Sequence, residues 1–350
     1  PLVSGIVDLF SSRNLKIFGP TQAAAQLEGS KEFCKAFLVR NQIPTAKYAT
    51  FSSAEKAIQY VQKNGTPIVI KADGLAAGKG VVIADNMLEA KKAIRDMLEG
   101  KKFGEASRKI VIEEFLEGEE ASFIVMVDGK NVLPMATSQD YKRVGDGDVG
   151  PNTGGMGACS PATVITPIIH QRIINEIIAP TVQKMAAEGN SYSGFLYAGL
   201  MISKTGAPKV VEFNCRFGDP ETQPIMMRLE SDLTEHCLAA CGGRLATETA
   251  TWSDEATIGV VLASEHYPSS SPTGLPIAGL STSRPSSKVF HAGTRQEGNE
   301  TVTAGGRVLC VTAKGETLAT AAQRAYEAAS DISWDGMKYR PDIGWRALQR

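Results

Sequence analysis

Apolar residues recur along the chain with two periods, and the switches between them outline alternating helices and strands. Phe33, Phe37 and Leu38 lie at helical spacing and predict a helix over Ser30–Asn41, stopped before Ile43-Pro44. Ser52 stands three residues ahead of Glu55, a capping-box pattern that opens a helix over Ala54–Asn64; Gly65 caps its end and Pro67 blocks continuation. Short β-rich runs follow at Pro67–Lys71 and Val81–Ala84, then a helix over Glu89–Glu99 and a strand over Ile110–Phe115. Ala121–Val127 alternates strongly and turns at Asp128-Gly129 into Val132–Ala136, which is a hairpin signal. A second hairpin joins Ala198–Ser203 to Lys209–Asn214 around Thr205-Gly206. Between the hairpins lie a loop-rich stretch, 139–162, and a long helix over Ile168–Glu188 that Pro180 is expected to bend. The amino end reads as a helix over Leu2–Arg13, a short strand at Lys16–Phe18 and a Gly19-Pro20 turn.

After a helix over Ser231–Cys241 the composition shifts. Residues 244–256 are polar and rich in Ala and Thr, as at a domain boundary. Strands at Ile258–Ala263, Val289–His291 and Arg307–Thr312 and a helix over Thr317–Ser330 then predict a small α+β domain. The 350 residues suit two or three domains at about 150 residues each. Lys plus Arg number 37 against 38 Asp plus Glu, so no global field favours nucleic acid or an anionic membrane. The six cysteines are scattered without a C-x-x-C pair, which points away from a zinc site or disulfide framework and towards reduced thiols in the cytoplasm. No apolar run approaches the ~20 residues a membrane span needs.

The chemistry concentrates in four places. Between the runs Ile68–Lys71 and Val81–Ile83, Gly74, Gly78 and Gly80 accompany Lys71 and Lys79. Glycines let backbone N–H groups approach phosphate oxygens and lysines neutralise their charge, although a hairpin with solvated lysines has the same composition. This is no Walker A loop, because Gly74 to Gly78 is too short and a strand follows it. In Val210–Asn214, Glu212 and Asn214 are two apart and share a strand face, a pair of hard oxygens suited to Mg²⁺, with Val211 and Phe213 expected towards the core. Arg216 directly beyond can stabilise a transferring phosphoryl group. The acidic turn from Glu113 to Glu120 offers acceptors for an adenine amino group or ribose hydroxyls while the Phe115-Leu116 backbone reads the purine edge; a solvated turn would look alike. Asp140, Lys142 and Arg143 precede Gly154-Gly155 in a glycine-rich stretch that reads either as a substrate loop or as surface disorder. Its literal G-x-G-x-x-G at Gly145, Gly147 and Gly150 lacks the strand and helix of a dinucleotide site. The histidines form no H-E-x-x-H group and no G-x-S-x-G occurs, which leaves zinc and serine hydrolases without support.

Lys71 with its glycine loop, Glu113 with Leu116 and Glu120, and Glu212 with Asn214 resemble the ATP-grasp superfamily in order and spacing. The segments Leu27–Lys31, Ile68–Val81, Glu113–Phe123, Gly150–Ala158, Gly194–Met201 and Glu212–Gln223 resemble, more closely, the phosphoribosylamine–glycine ligase family, and the likeness runs to the tail Asp342–Arg346. The resemblance implies an ATP-grasp fold (two α+β subdomains clasping ATP) in a mixed α/β chain. Residues 1–48 would be a remnant of a Rossmann-like amino-terminal domain and linker, 49–120 the lid, 121–250 the large subdomain with the metal site, and 251–350 the carboxy-terminal α+β domain. It implies that ATP, glycine and 5-phosphoribosylamine give glycinamide ribonucleotide, ADP and phosphate through a glycyl phosphate, in the cytoplasm, by a monomer or weak dimer without nucleic-acid or membrane partners.

Residue roles follow by resemblance. Lys31 and Lys71 would hold the ATP phosphates beneath the loop of Gly74, Gly78, Lys79 and Gly80. Glu113, Phe115 and Leu116 would read adenine, Glu120 the ribose, and Glu212 with Asn214 would bind Mg²⁺ or Mn²⁺. Arg216 would steady the transferred phosphoryl, and Asp140, Lys142, Arg143, Asp219 and Pro220 would lie near the other substrates. The likeness begins near the end of the family's amino-terminal domain, so a nucleotide-binding fragment without turnover is the second reading. Glu265-His266-Tyr267-Pro268 stands where the family has a Gly-Tyr-Pro turn, and His266 would be strained there if its φ were positive.

Overall fold

The computed structural model describes residues 1–75, 80–100, 104–282 and 284–350. Gly78 and Lys79 lie outside the described residues. Three antiparallel sheets carry the site. In the first, strands Tyr48–Phe51, Ile110–Glu114, Ile68–Ala72 and Val81–Ala84 lie side by side in that order. The helices Ala54–Asn64 and Met87–Leu98 cover one face, with Ala57, Val61, Ile70, Ile94, Met97 and Ile112 in the core between. Ser53, not Ser52, caps the first helix by accepting from the Lys56 N–H. The first helical residue is Ala54, so Glu55 lies too early for a capping box and instead accepts from Ser53 Oγ at 2.7 Å. The second helix starts two residues before its predicted start, because Asn86 caps it and exchanges hydrogen bonds with Glu89.

The second sheet runs Pro208–Asn214, Ser193–Ile202, Glu119–Asp128, Val132–Pro134, so both predicted hairpins form. A bulge follows Gly199: Gly199 faces Glu212 but Leu200 faces Val210, leaving Val211 as the extra residue. Strict alternation therefore fails, and Val210 and Phe213 enter the core where Val211 and Phe213 were expected. The helical stretch behind this sheet is continuous from Pro167 to Ala187 but passes through a π-helical segment, Ile174–Ile178, just before Pro180. Pro180 has no N–H to give and its ring would strike the carbonyl four residues back, and a widened turn relieves both problems.

In the third sheet Ser287–His291, Arg307–Gly315, Ala256–Ala263, Gly157–Ser160 and Gln139–Asp140 are neighbours, covered by the helix Leu318–Ser330 through Ala321, Ala325 and Ala329. Two of its five strands come from the stretch read as loop. Their composition hid them: Gly157 is a glycine because a Cβ there would lie 2.5 Å from the Gly259 carbonyl of the neighbouring strand. Lys16–Phe18 forms no strand; Phe18 packs edge-on against Phe195, centroids 5.1 Å apart, and no ladder partner lies alongside. Leu2–Ser4 and Ile6–Ser12 replace the single predicted helix, broken at Gly5 with φ +81°.

Candidate active site

The three sheets converge on a cavity of about 650 Å³. Its first wall is the sheet of Lys71. The Lys71 ammonium donates to the Val211 carbonyl at 3.1 Å and lies 2.9 Å from Glu113 Oε1, an ion pair without hydrogen-bond geometry. Glu113 Oε2 lies 2.8 Å from the ammonium of Lys35, which also donates to Thr45 Oγ1 at 2.7 Å. All three charged side chains are at most 4% exposed. Burial pushes the Lys35 pKa down, and Glu113 opposes the shift. Two ammoniums share one carboxylate, so this wall keeps an excess positive charge in a poorly solvated place, as an anion site requires.

Glu113, expected at the adenine, lines the cavity with its carboxylate held between the two lysines. Successive strand residues point to opposite faces, so Glu113 turns inward to the lysines while Glu114 turns out to the Lys47 N–H and to Lys209. Lys31, at the start of the helix Lys31–Arg40, donates to the Gly74 carbonyl at 2.9 Å. Asp73 ties that helix to the glycine loop by accepting from the Glu32 N–H at 2.7 Å and from Ser30 Oγ. Burial, ahead of its charged neighbours, lowers the Lys31 pKa. Gly74 packs against Ala106, where a Cβ would come within 2.9 Å, and Gly80, Phe115 and Leu116 line the cavity.

The second sheet supplies the opposite wall. Glu212 and Asn214 project into the cavity. Burial works against the Glu212 charge, but Lys142, Lys71 and Lys31 outweigh it and hold the carboxyl below its ordinary pKa. Lys142 lies 2.9 Å from Glu120 and 3.9 Å from Glu212. Burial disfavours its charge too, yet those carboxylates hold the ammonium well above its usual pKa. Arg216, half exposed, donates to Asn214 Oδ1 at 3.4 Å and to the Phe217 carbonyl at 2.9 Å. Among the described residues no three His, Cys, Asp or Glu side chains cluster as metal ligands. An ionised Glu212 and an Asn214 oxygen on one face still suit Mg²⁺, which fills its shell from phosphates and water.

The third wall is made of loop and strand ends. Asp140 is nearly buried and its Oδ1 has no hydrogen-bond partner. Burial, reinforced by Glu221, raises its pKa well above the carboxylate range. Glu221 accepts from the Tyr197 hydroxyl at 2.6 Å and from Ser122 Oγ at 3.0 Å. Arg307 donates to the carbonyls of Gly154 and Asp219 at 2.7 and 2.8 Å and to Asp219 Oδ2 at 2.8 Å. Gly155 has φ +112°, and a Cβ there would lie 2.3 Å from Pro220 Cδ and 2.8 Å from Asp140 Oδ1. Pro220 therefore shapes the wall from behind. Arg143 stays outside the cavity, donating to the Gly150 carbonyl at 2.6 Å across its own hairpin. His266 is exposed with no left-handed backbone, so the feared strain is absent; its neighbour Tyr267 accepts from the Gly154 N–H at 2.8 Å.

Lys35, Tyr197, Glu221 and Arg307 were not anticipated. Lys35 alone had a readable signal, because Lys31 and Lys35 are one helical turn apart on one face. The other three reach the cavity only through tertiary packing.

A family model described as phosphoribosylglycinamide synthetase, ATP-grasp (A) domain, matches residues 29–222, and its C-domain counterpart matches 257–346. A phosphoribosylamine–glycine ligase of Vibrio vulnificus strain YJ016 is 64% identical over the whole chain, and that of Escherichia coli O6:H1 strain CFT073 is 62% identical; the chain covers 82% of each. The solved phosphoribosylamine–glycine ligase of Thermotoga maritima superposes with TM-score 0.85 at 37% identity, over 93% of this chain and 81% of that one. A biotin carboxylase of Campylobacter jejuni, 16% identical, shares the fold with TM-score 0.76 over 98% of this chain and 75% of that one. The fold is ATP-grasp, and with both domain models matched in chain order over the residues that build the cavity, the chain belongs to the phosphoribosylamine–glycine ligase family.

Proposed function

We propose that the cavity joins glycine to 5-phosphoribosylamine with ATP, through glycyl phosphate, as a step of purine biosynthesis. The observation that carries this reading is the opposition of two walls: the Lys35–Glu113–Lys71 cluster with its excess positive charge, and the ionised Glu212 beside Asn214 and Arg216. Lys31 and Lys71 hold the triphosphate, with Gly74 and Gly80 in contact and Gly78 and Lys79 assigned to the same loop. Phe115 and Leu116 flank the base, and Glu120 is the acceptor for the ribose. Glu212 and Asn214 would hold Mg²⁺ or Mn²⁺, which supplies charge neutralisation on the phosphates. A glycine carboxylate oxygen attacks the γ-phosphorus and ADP leaves. The amine nitrogen of phosphoribosylamine then attacks the acyl carbon, phosphate leaves with the electron pair of the broken C–O bond, and the amine loses a proton. Arg216 stabilises charge on the transferring phosphoryl. No side chain forms a covalent bond; positioning and charge do the work.

Asp140, Asp219 and Pro220 lie on the side where glycine and phosphoribosylamine are placed, with Lys142 bridging to the ribose acid and Arg143 fixing the loop behind. The division into segments 1–48, 49–120, 121–250 and 251–350 is retained as a division of labour: entry segment, lid, metal-bearing half and tail. Among the described residues no helix is long and apolar enough to cross a membrane, and the six cysteines are unpaired; we place the enzyme in the cytoplasm. The test is ADP release. It should require both glycine and phosphoribosylamine, and Glu212→Ala should abolish it. ATP binding without turnover in the parent chain would overturn the ligase reading, and full activity of the variant would overturn the metal assignment.

A further inference from the structure

The tail strand Arg307–Gly315 begins at a residue that reaches back into the cavity. Arg307 is one-fifth exposed and its backbone is pinned, since its carbonyl accepts from the Gly293 N–H at 2.9 Å. Its Nη1 is shared between the Gly154 and Asp219 carbonyls, while Nη2 pairs with the Asp219 carboxylate. The other side of Gly154 is held too, its N–H donating to the Tyr267 hydroxyl. Two loops 65 residues apart in sequence, both lining the cavity, are thus registered against each other by one planar fork from the tail. A lysine has no such fork and could not bridge both loops in fixed geometry. Gly154 is itself fitted to this contact, because a Cβ there would lie 2.9 Å from the guanidinium carbon and from Nη2.

We propose that Arg307 is a positioning residue of the ligase site: it locks the Gly154 loop to the Asp219 turn, so the tail sets the wall on which the two smaller substrates are placed. The phosphate wall has its own internal ion pairs and does not depend on Arg307. This inference rests on the ligase reading for its kinetic consequence, but the lock itself can be measured without turnover.

Arg307→Met in the full chain should raise amide exchange across residues 153–157 and 218–221 and leave 68–72 and 110–114 protected. It should lower kcat/KM for glycine or phosphoribosylamine about a hundredfold, as for a misplacement of about 1 Å, with KM for ATP unchanged. Gly154→Ala, which keeps Arg307 but displaces its fork, should give the same split even if Arg307→Met folds poorly. The double variant should be no worse than the worse single, since both break one contact set. Unchanged exchange in either variant, an equal loss towards all three substrates, or additive effects in the double variant would overturn the proposal. A parent chain without substrate-dependent ADP release would remove the ligase reading, and exchange would still decide whether Arg307 is the lock.

Discussion

The phosphate wall and the acceptor wall of this cavity solve the problem of buried charge in opposite ways. Lys35, Lys71 and Glu113 sit on a helix and two paired strands, with register fixed by Lys71 opposite Val111 and Val69 opposite Glu113. Their charges are compensated within the group, leaving one ammonium in excess. Asp140, Gly154, Asp219, Glu221 and Arg307 come from loops and strand ends scattered over the chain. There the carboxylates meet hydroxyls, an arginine and each other, and burial with Glu221 raises the Asp140 pKa. The first wall carries its charge on regular elements whose register fixes it. The second is a set of loops whose geometry exists only when distant segments dock.

Lys71→Met gives the largest expected effect. On the proposed reading it removes a phosphate contact yet leaves Glu113 paired with Lys35, so turnover should fall by about 10²–10³, the range for losing one preorganised electrostatic contact. The urea midpoint should hardly move. A large loss of stability would show that Lys71 serves the fold instead, and the contrast between the walls would fail. Glu113→Gln tests the same wall from its other side. It leaves two buried ammoniums without a counter-charge and should cost about 3–5 kcal/mol of unfolding free energy, read by urea denaturation. A stability loss no larger than for a surface substitution would mean that water reaches the lysines.

The same contrast decides what the sequence could disclose. Lys71, Glu113, Glu212 and Asn214 stand on regular elements with local signals, and the resemblance to the ATP-grasp superfamily is what placed them in one site. The ion pairs of Glu113 were not legible, because strand alternation sends its carboxylate to Lys35 and Lys71 on elements distant in sequence. Capping shows the limit of local rules from another angle. Two adjacent serines, Ser52 and Ser53, both fit a cap, and only the true helix start at Ala54 selects the second. The strands Gln139–Asp140 and Gly157–Ser160 were hidden because glycine and polar residues form them where a neighbouring backbone comes close. Arg307 left no local trace, since the partners of its side chain are 88 and 153 residues away.

Asp140→Asn gives the smallest effect and the sharpest comparison. Asp140 is buried with one oxygen unpartnered, and burial with Glu221 raises its pKa well above the usual range. The folded state therefore keeps a proton that the unfolded chain releases near pH 3.9. Between that pH and the raised folded value the native state binds more protons than the unfolded state, so stability falls as pH rises, by at most about 1.4 kcal/mol per pH unit for one proton. The amide cannot ionise and is nearly the shape of the protonated acid. Asp140→Asn should match the parent at pH 4 and become progressively the more stable of the two towards pH 7, measured as urea midpoints across that range. At the phosphate wall the substitution works the other way: Glu113 is paired with two ammoniums, so Glu113→Gln should be destabilising where Asp140→Asn is not. A parent and Asp140→Asn pair with parallel pH profiles would mean that Asp140 is ionised in the folded protein, and the two walls would then handle charge alike.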